Sequence, residues 1–183
     1  MTPTGTTIGW QLGAAGASEL TDLMVLPADS TLASGDEAVP QVAPQIMFLL
    51  REDLGGPGLT AAGVCAAASV AAGLAVTAAD GSTVTGVRIA AHALPCDFDL
   101  SLVGALLELD GDVVATAAGA AIAGHPAEAV ARFANERAAN GERPLRRGQL
   151  VGSGLLMAPR PVTGPGEAAA VFGRLGTVSV TVA

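Results

Sequence analysis

Aromatic side chains are nearly missing: the 183 residues include no Tyr, one Trp and four Phe. Any core must therefore be built from Ala, Val and Leu, and a hydrophobic content of 50% supplies enough of them. Cysteine is scarce as well. Two residues, Cys65 and Cys96, exclude a disulfide framework, and they lack the C-x-x-C spacing of a redox or zinc motif. Buried apolar packing is the expectation for both. Positive charge is in short supply, with 9 Lys+Arg against 17 Asp+Glu and a net charge of −8. That balance excludes a nucleic-acid or anionic-membrane partner, because phosphate binding needs a basic surface. The one basic cluster, Arg143 to Arg147, is short. No apolar run reaches the roughly 18 uninterrupted residues of a membrane helix. Residues 61–76 come closest, but Gly63, Gly73 and many small side chains suit a packed helix better. No signal-peptide pattern opens the sequence, so a cytoplasmic protein is expected.

The clearest local signals lie between Gly119 and Ser153. Pro126 suits a first helical position, where its missing amide hydrogen would be unpaired anyway, and places His125 at the N-cap. Val130, Phe133, Ala134 and Ala138 share one face at helical spacing, with Arg132, Glu136 and Arg137 away from it. Asn140-Gly141 stops the helix, since both residues tolerate positive φ. Residues 149–153 then read as a short apolar strand.

Elsewhere, strands are expected over 8–12, 45–50, 74–78, 84–90, 168–172 and 177–182. In the last of these, Thr177, Ser179 and Thr181 alternate with Val178, Val180 and Val182. Asp110-Gly111 is a strong hairpin signal, joining a strand over 100–109 to one over 113–117. A second helix is expected from 61 to 72, capped by Thr60. Residues 14–23 read as small and polar, and 27–40 as a loop rich in Ser, Gly, Asp and Pro. Many strands and two main helices make a β-rich α+β domain, with 1–183 as a single unit.

Several stretches, taken together and in order, carry a resemblance. They are IGWQLG from Ile8, VAPQIMFLLREDL from Val42, DLSLVGALLELDGDVVATAAGAA from Asp99, GHPAEAVARFAN from Gly124, LRRGQLVGSGLL from Leu145 and FGRLGTVSVTV from Phe172. The series resembles the 2-keto-4-pentenoate hydratase and 4-oxalocrotonate decarboxylase group of the fumarylacetoacetate hydrolase superfamily. It implies that superfamily's fold: mixed sheets around a central cavity. It also implies a homodimer or higher homo-oligomer. Relative to that pattern, the helical N-terminal segment before the first matched strand is absent, and the loop at 80–85 is short. A more open pocket, or one covered by a partner subunit, is the expectation.

The resemblance also locates a site, and shows what has been replaced in it. Family enzymes hold a 2-keto acid on a divalent cation, usually Mg²⁺, which polarises the carbonyl. Such hard cations take oxygen ligands. The Glu-x-Glu of the pattern falls on Ala43-Pro44-Gln45, and the third Glu falls on Ala75. The family's Lys falls on Gln11, and its acidic residue before a Met on Leu23, or on Asp22 with a one-residue slip. One neutral amide cannot build a Mg²⁺ site, so no cofactor is expected. Only a shifted match would bring in Glu52, Asp53 or Asp80 as ligands.

The remaining pocket candidates are Gln11, Gln45 and Ser153 for chemistry, with Trp10, Ala43, Ala75, Leu155 and His92 lining it. Two amides facing an apolar cavity can polarise a neutral carbonyl by hydrogen bonding. Ser153 has no partner base in sequence. His92 is either a loop histidine or a general acid/base. Asp97 and Asp99 read as a solvated turn.

Two functions fit these residues. One is a repurposed, metal-independent enzyme acting on a largely apolar, polyketide-like small molecule of specialised metabolism, by cyclisation, isomerisation or dehydration. Holding such a substrate in a near-attack shape supplies much of the rate. The other is a non-catalytic ligand-binding protein or a partner subunit of an active paralogue. A closed apolar pocket containing Gln11 and Gln45 would favour the first, and a filled cavity the second. A metal-dependent 2-keto acid hydratase or decarboxylase ranks third.

Overall fold

The computed structural model describes residues 5–33 and 39–183. The loop read over 27–40 therefore lies partly outside the described residues, as does the start of the chain. In order, the strands before the first helix are β1 (Thr7–Gly13), β2 (Gly16–Thr21), β3 (Val25–Leu26), β4 (Thr31–Leu32) and β5 (Gln41–Leu50). Helix α1 (Ala61–Ala67) runs into β6 (Ala68–Thr77), followed by β7 (Val84–Ile89), β8 (Leu94–Pro95), β9 (Gly104–Leu109) and β10 (Asp112–Ala118). Helix α2 (Pro126–Ala139) precedes β11 (Leu150–Leu155), β12 (Arg160–Pro161), β13 (Gly166–Phe172) and β14 (Gly176–Val182).

The strands form two mixed sheets. The larger runs β2-β1-β11-β5-β6-β7-β3, with β12 beside β5 and β8 beside β6; the smaller runs β10-β9-β13-β14-β4. The main core joins the sheets and helices through Ile46, Phe48, Leu74, Leu107, Val130 and Phe172, all essentially inaccessible to solvent. Burying each large side chain of this kind contributes roughly 1.5–3 kcal/mol. Of the five aromatics, Phe48 and Phe172 are fully buried, and Trp10, Phe98 and Phe133 pack partly exposed against this core.

Local chemistry explains the sharper features. His125 Nδ1 accepts a hydrogen bond from Ala127 N at 3.2 Å, so the histidine caps α2 ahead of Pro126. Gly141 follows the helix at a φ of 71°. Asp110 and Gly111 take φ values of 53° and 85°, the left-handed pair that a tight β9–β10 hairpin requires. Arg137 departs from the expected pattern. It is half-buried, with its guanidinium 4.4 Å over the Trp10 ring, and Trp10 also packs on Phe133 at 5.3 Å.

Two elements differ from the sequence expectation. The second helix stops at Ala67, not at 72, and residues 68–72 belong to β6. Their alanines suit a helix locally, but β6 pairs in unbroken antiparallel register with all of β5, from Leu50↔Ala68 to Gln41↔Thr77. Ten paired residues in a buried sheet outweigh a weak local preference. Residues 16–21, inside the 14–23 stretch read as small and polar, form β2 and close a hairpin on β1. Leu100–Leu102 is a short 3-10 turn capped by Asp99, not the start of a strand.

Candidate functional site

The central strands decide which side chains meet. Ala43 and Ala75 are direct cross-strand partners, and Gln45 lies opposite Gly73 two pairs further along β5 and β6. Cross-strand partners project to the same face, as do residues two apart on one strand. On β1, Gln11 pairs with Gly152 of β11, which in turn pairs with Met47 of β5. Strand order therefore gathers Gln11, Ala43, Gln45 and Ala75 on one face of the larger sheet, although they span 64 positions in sequence.

The two amides are in contact. Gln11 Nε2 donates to Gln45 Oε1 at 2.7 Å and to Leu12 O at 3.1 Å. Gln11 Oε1 and Gln45 Nε2 have no partner, although both atoms are buried. Leaving a buried amide group unpaired costs about 1–3 kcal/mol. Gly152 makes the arrangement possible, because a Cβ there would lie 2.8 Å from Gln45 Oε1 and collide with the Gln11 amide. Gly73 does the same for its neighbours: a Cβ there would lie 2.8 Å from Met47 Cγ and 3.1 Å from Gln45 Cγ.

This face is filled. Ala43, Gln45 and Ala75 are 0% exposed, Met47 1% and Gln11 3%. A solvent-filled pocket would leave its lining atoms accessible, and these are not. Met47 packs with Leu20 and Val87, and Ile8, Met24, Ile89 and Leu150 close around them. The central cavity implied by the resemblance is, at this position, occupied by the protein's own side chains. Two surface hollows among the described residues lie elsewhere. One, of about 460 Å³, is lined by Leu49 to Glu52, Arg147 and Gly148; the other, of about 380 Å³, surrounds Cys65 and Cys96.

The other candidates separate. Ser153 is buried and committed to backbone, accepting from Ile46 N at 3.2 Å and donating to Gly154 O at 3.1 Å across the irregular register between β11 and β5. Leu155 is half-buried opposite Gln45. Trp10 neighbours Gln11 in sequence and so projects to the opposite face, against α2. His92 is exposed in the loop between β7 and β8. Asp99 Oδ1 accepts from Ser101 N at 2.9 Å and stands 3.7 Å from His125 Nε2.

A divalent cation does not fit the donors present. Ala43 and Ala75 offer only carbon. The single side-chain oxygen of Gln45 already accepts a hydrogen bond, and its free amide edge is a donor that repels a cation. Among the described residues, no three or more His, Cys, Asp or Glu side chains converge as a metal-binding group. Two of the fallback ligands are engaged elsewhere, and the third, Glu52, is exposed beside the hollow of about 460 Å³. Asp53 accepts from Arg147 N at 2.8 Å and pairs with Arg146 at 2.6 Å, contacts that in that order hold its carboxyl below the usual carboxylate range. Asp80 accepts from Ser82 in its own turn. Nor can the family's lysine return from another position, because the sequence contains none.

Sequence reasoning missed Met47, Gly73 and Gly152, which close the site. Only the i, i+2 relation of Met47 to Gln45 pointed to it. Sequence reasoning also missed that Cys65 and Cys96 meet.

No protein-family model matches the sequence. Among characterised proteins, the chain is 29% identical over 164 residues to 4-oxalocrotonate decarboxylase of Pseudomonas sp. strain CF600, covering 81% of this chain and 61% of that protein. It is 34% identical over 172 residues to the TodF product hydratase of Pseudomonas putida, covering 80% and 62%. It is 30% identical over 160 residues to 2-hydroxyhexa-2,4-dienoate hydratase of Comamonas testosteroni, covering 77% and 59%. The chain thus spans about three-fifths of these relatives. In structure it resembles 4-oxalocrotonate decarboxylase from Pseudomonas putida G7, complexed with magnesium and adipate, with a TM-score of 0.84 and 23% identity over 98% of this chain and 79% of that one. Fumarylpyruvate hydrolase from Pseudomonas aeruginosa, complexed with Mn²⁺ and pyruvate, gives a TM-score of 0.73 at 16% identity, over 91% and 77%.

Proposed function

Because the chain belongs to the fumarylacetoacetate hydrolase superfamily, in its hydratase and decarboxylase group, we propose that it is a metal-independent member acting as a partner subunit and not as a 2-keto acid lyase. One observation carries this reading. The positions that the resemblance assigns to the three metal-binding carboxylates are neighbours in the sheet, hold Ala43, Gln45 and Ala75, and are sealed from solvent.

A surface suited to assembly supports it. Strand β10 forms one edge of the smaller sheet, with one row of backbone groups unpaired by any described strand. Val113 and Val114 on this strand are 52% and 38% exposed. An apolar exposed edge of this kind is a template for pairing with another chain. Antiparallel pairing of β10 with its copy would make the homodimer; pairing with the same edge of a longer paralogue would make a mixed assembly.

The test combines elemental analysis, a thermal-shift titration with Mg²⁺ and Mn²⁺, and light scattering. The expected result is no bound metal, an unchanged melting temperature and the mass of a dimer that Val113→Lys reduces to a monomer. A ligand at 100 times its Kd stabilises a fold by about 2.7 kcal/mol, so a real site would be visible. Stoichiometric metal, or a rise in melting temperature with Mg²⁺, overturns metal independence. A monomer that leaves the activity of a paralogous hydratase unchanged overturns the subunit reading.

A second reading is favoured by the unpaired Gln11 Oε1 and Gln45 Nε2. A donor and an acceptor side by side match a neutral polar group on an otherwise apolar molecule. The reading is a metal-independent enzyme that admits a polyketide-like substrate by displacing Met47, then promotes cyclisation, isomerisation or dehydration. A panel of such compounds should then raise the melting temperature of the wild type and not of Gln45→Leu. No response in either protein removes this reading.

A further inference from the structure

Outside the inherited site, the chain's two thiols form a unit of their own. Cys65 lies on α1 and Cys96 just past β8, 31 positions apart, with Cys96 Sγ 2.7 Å from Cys65 Sγ. Strand β8 brings them together, because Pro95 pairs with Ser69 at the start of β6, directly after α1. Both thiols are half-buried, and both line the hollow of about 380 Å³ with Arg51, Glu52, Pro95 and Asp97. They are therefore close to each other and reachable from solvent, which the packing expected from sequence would not require.

We propose that Cys65 and Cys96 are a two-electron redox site, in which a hydroperoxide entering the hollow oxidises Cys65 and Cys96 then closes a disulfide between α1 and the β8 turn. In the first step the Cys65 thiolate attacks one peroxide oxygen. The S–O bond forms, the O–O bond breaks, and the departing oxygen takes a proton and leaves as water or an alcohol. Cys65 is then a sulfenic acid. In the second step Cys96 Sγ attacks the Cys65 sulfur. The S–S bond forms, the S–O bond breaks, and the hydroxide takes the Cys96 proton to give water. The two sulfurs lose two electrons and the peroxide gains them. A small dithiol reverses the change by exchange.

The roles follow from the environment. The hydrogen bond from Cys96 favours the Cys65 thiolate and lowers its pKa. The same contact, with burial and the nearby charges of Cys65 and Asp97, keeps Cys96 protonated. A thiolate beside a protonated partner is the usual order of peroxide-reacting and resolving thiols. Closing the link also fastens α1, the bridge between β5 and β6, to β8, which joins the opposite edge of β6.

The test is intact-mass analysis of the full chain after equimolar hydrogen peroxide, with alkylation under denaturing conditions. The expected wild-type product is a monomer lighter by two hydrogens, with neither cysteine alkylated, restored by dithiothreitol. Its melting temperature should rise by about 5 °C. In Cys96→Ser, a sulfenic-acid trap such as dimedone should label Cys65; in Cys65→Ser, Cys96 should react at least tenfold more slowly. Two alkylated cysteines after peroxide, cross-linked dimers in place of the internal bond, or equal reactivity of the two single variants would overturn the proposal.

Discussion

Ala75→Glu, which places a carboxylate where the superfamily carries its third metal ligand, should lower the melting temperature by about 10 °C. Ala75 is 0% exposed, flanked in register by Ala43 on β5 and Val87 on β7. Forcing extra side-chain atoms into a filled core costs about 1–3 kcal/mol. Burying the carboxylate without a cation adds to this, and the group relieves part of the cost by staying protonated. For a chain of this length each kcal/mol is worth about 2–4 °C.

The two contributions separate by pH. The buried Glu has its folded pKa raised above the unfolded value of about 4.3, so the variant is least damaged below that pH and loses stability as pH rises above it. Ala75→Leu, which adds bulk without charge, should show a smaller, pH-independent loss. Thermal unfolding of the three proteins between pH 4 and 8 measures both effects. Wild-type stability for Ala75→Glu, or its rescue by Mg²⁺, would show that a cation-binding space survives on this face.

Gly9→Ala should be more damaging still, costing about 3 kcal/mol or more, or preventing folding. Gly9 pairs in parallel register with Leu150, and the backbones approach so closely that a Cβ on Gly9 would lie 2.8 Å from Leu150 N and collide with its carbonyl. The obstacle is backbone in the centre of a sheet, which cannot turn aside as a side chain can. The loss would fall on β1, which carries Gln11, and on β11, which carries Gly152 and Ser153. Gly13→Ala on the same strand is the control, since its nearest neighbour would be Gly16 O at 3.6 Å. Urea unfolding of the two variants compares them. Equal stabilities would mean that β1 does not lie beside β11.

The elements written most plainly in the sequence are those whose signals are local. The α2 cap at His125 and Pro126, its stop at Gly141 and the Asp110-Gly111 hairpin each depend on a few adjacent residues, and each forms as read. The alternation of Val178, Val180 and Val182 likewise marks the buried face of β14. Residues 68–72 fail the same test because their alanines are compatible with either state, and only β5 decides between them. β2 was hidden for a related reason: GASELT has one buried residue, Leu20, and no repeating pattern to mark a strand.

The site divides in the same way. Sequence by itself determined which atoms are available: two amides, two alanines, no lysine and no carboxylate at the three positions the resemblance assigns to the metal ligands. Side-chain chemistry is a property of each residue and needs no fold to be read. Tertiary structure alone decided what those atoms meet. Strand order set Ala43 against Ala75, joined Gln11 to Gln45 over Gly152, turned Trp10 toward α2 and filled the remaining space with Met47. It also brought Cys65 to Cys96 across 31 positions. Contacts between distant residues depend on sheet register and close packing, which a linear pattern of residue types does not encode.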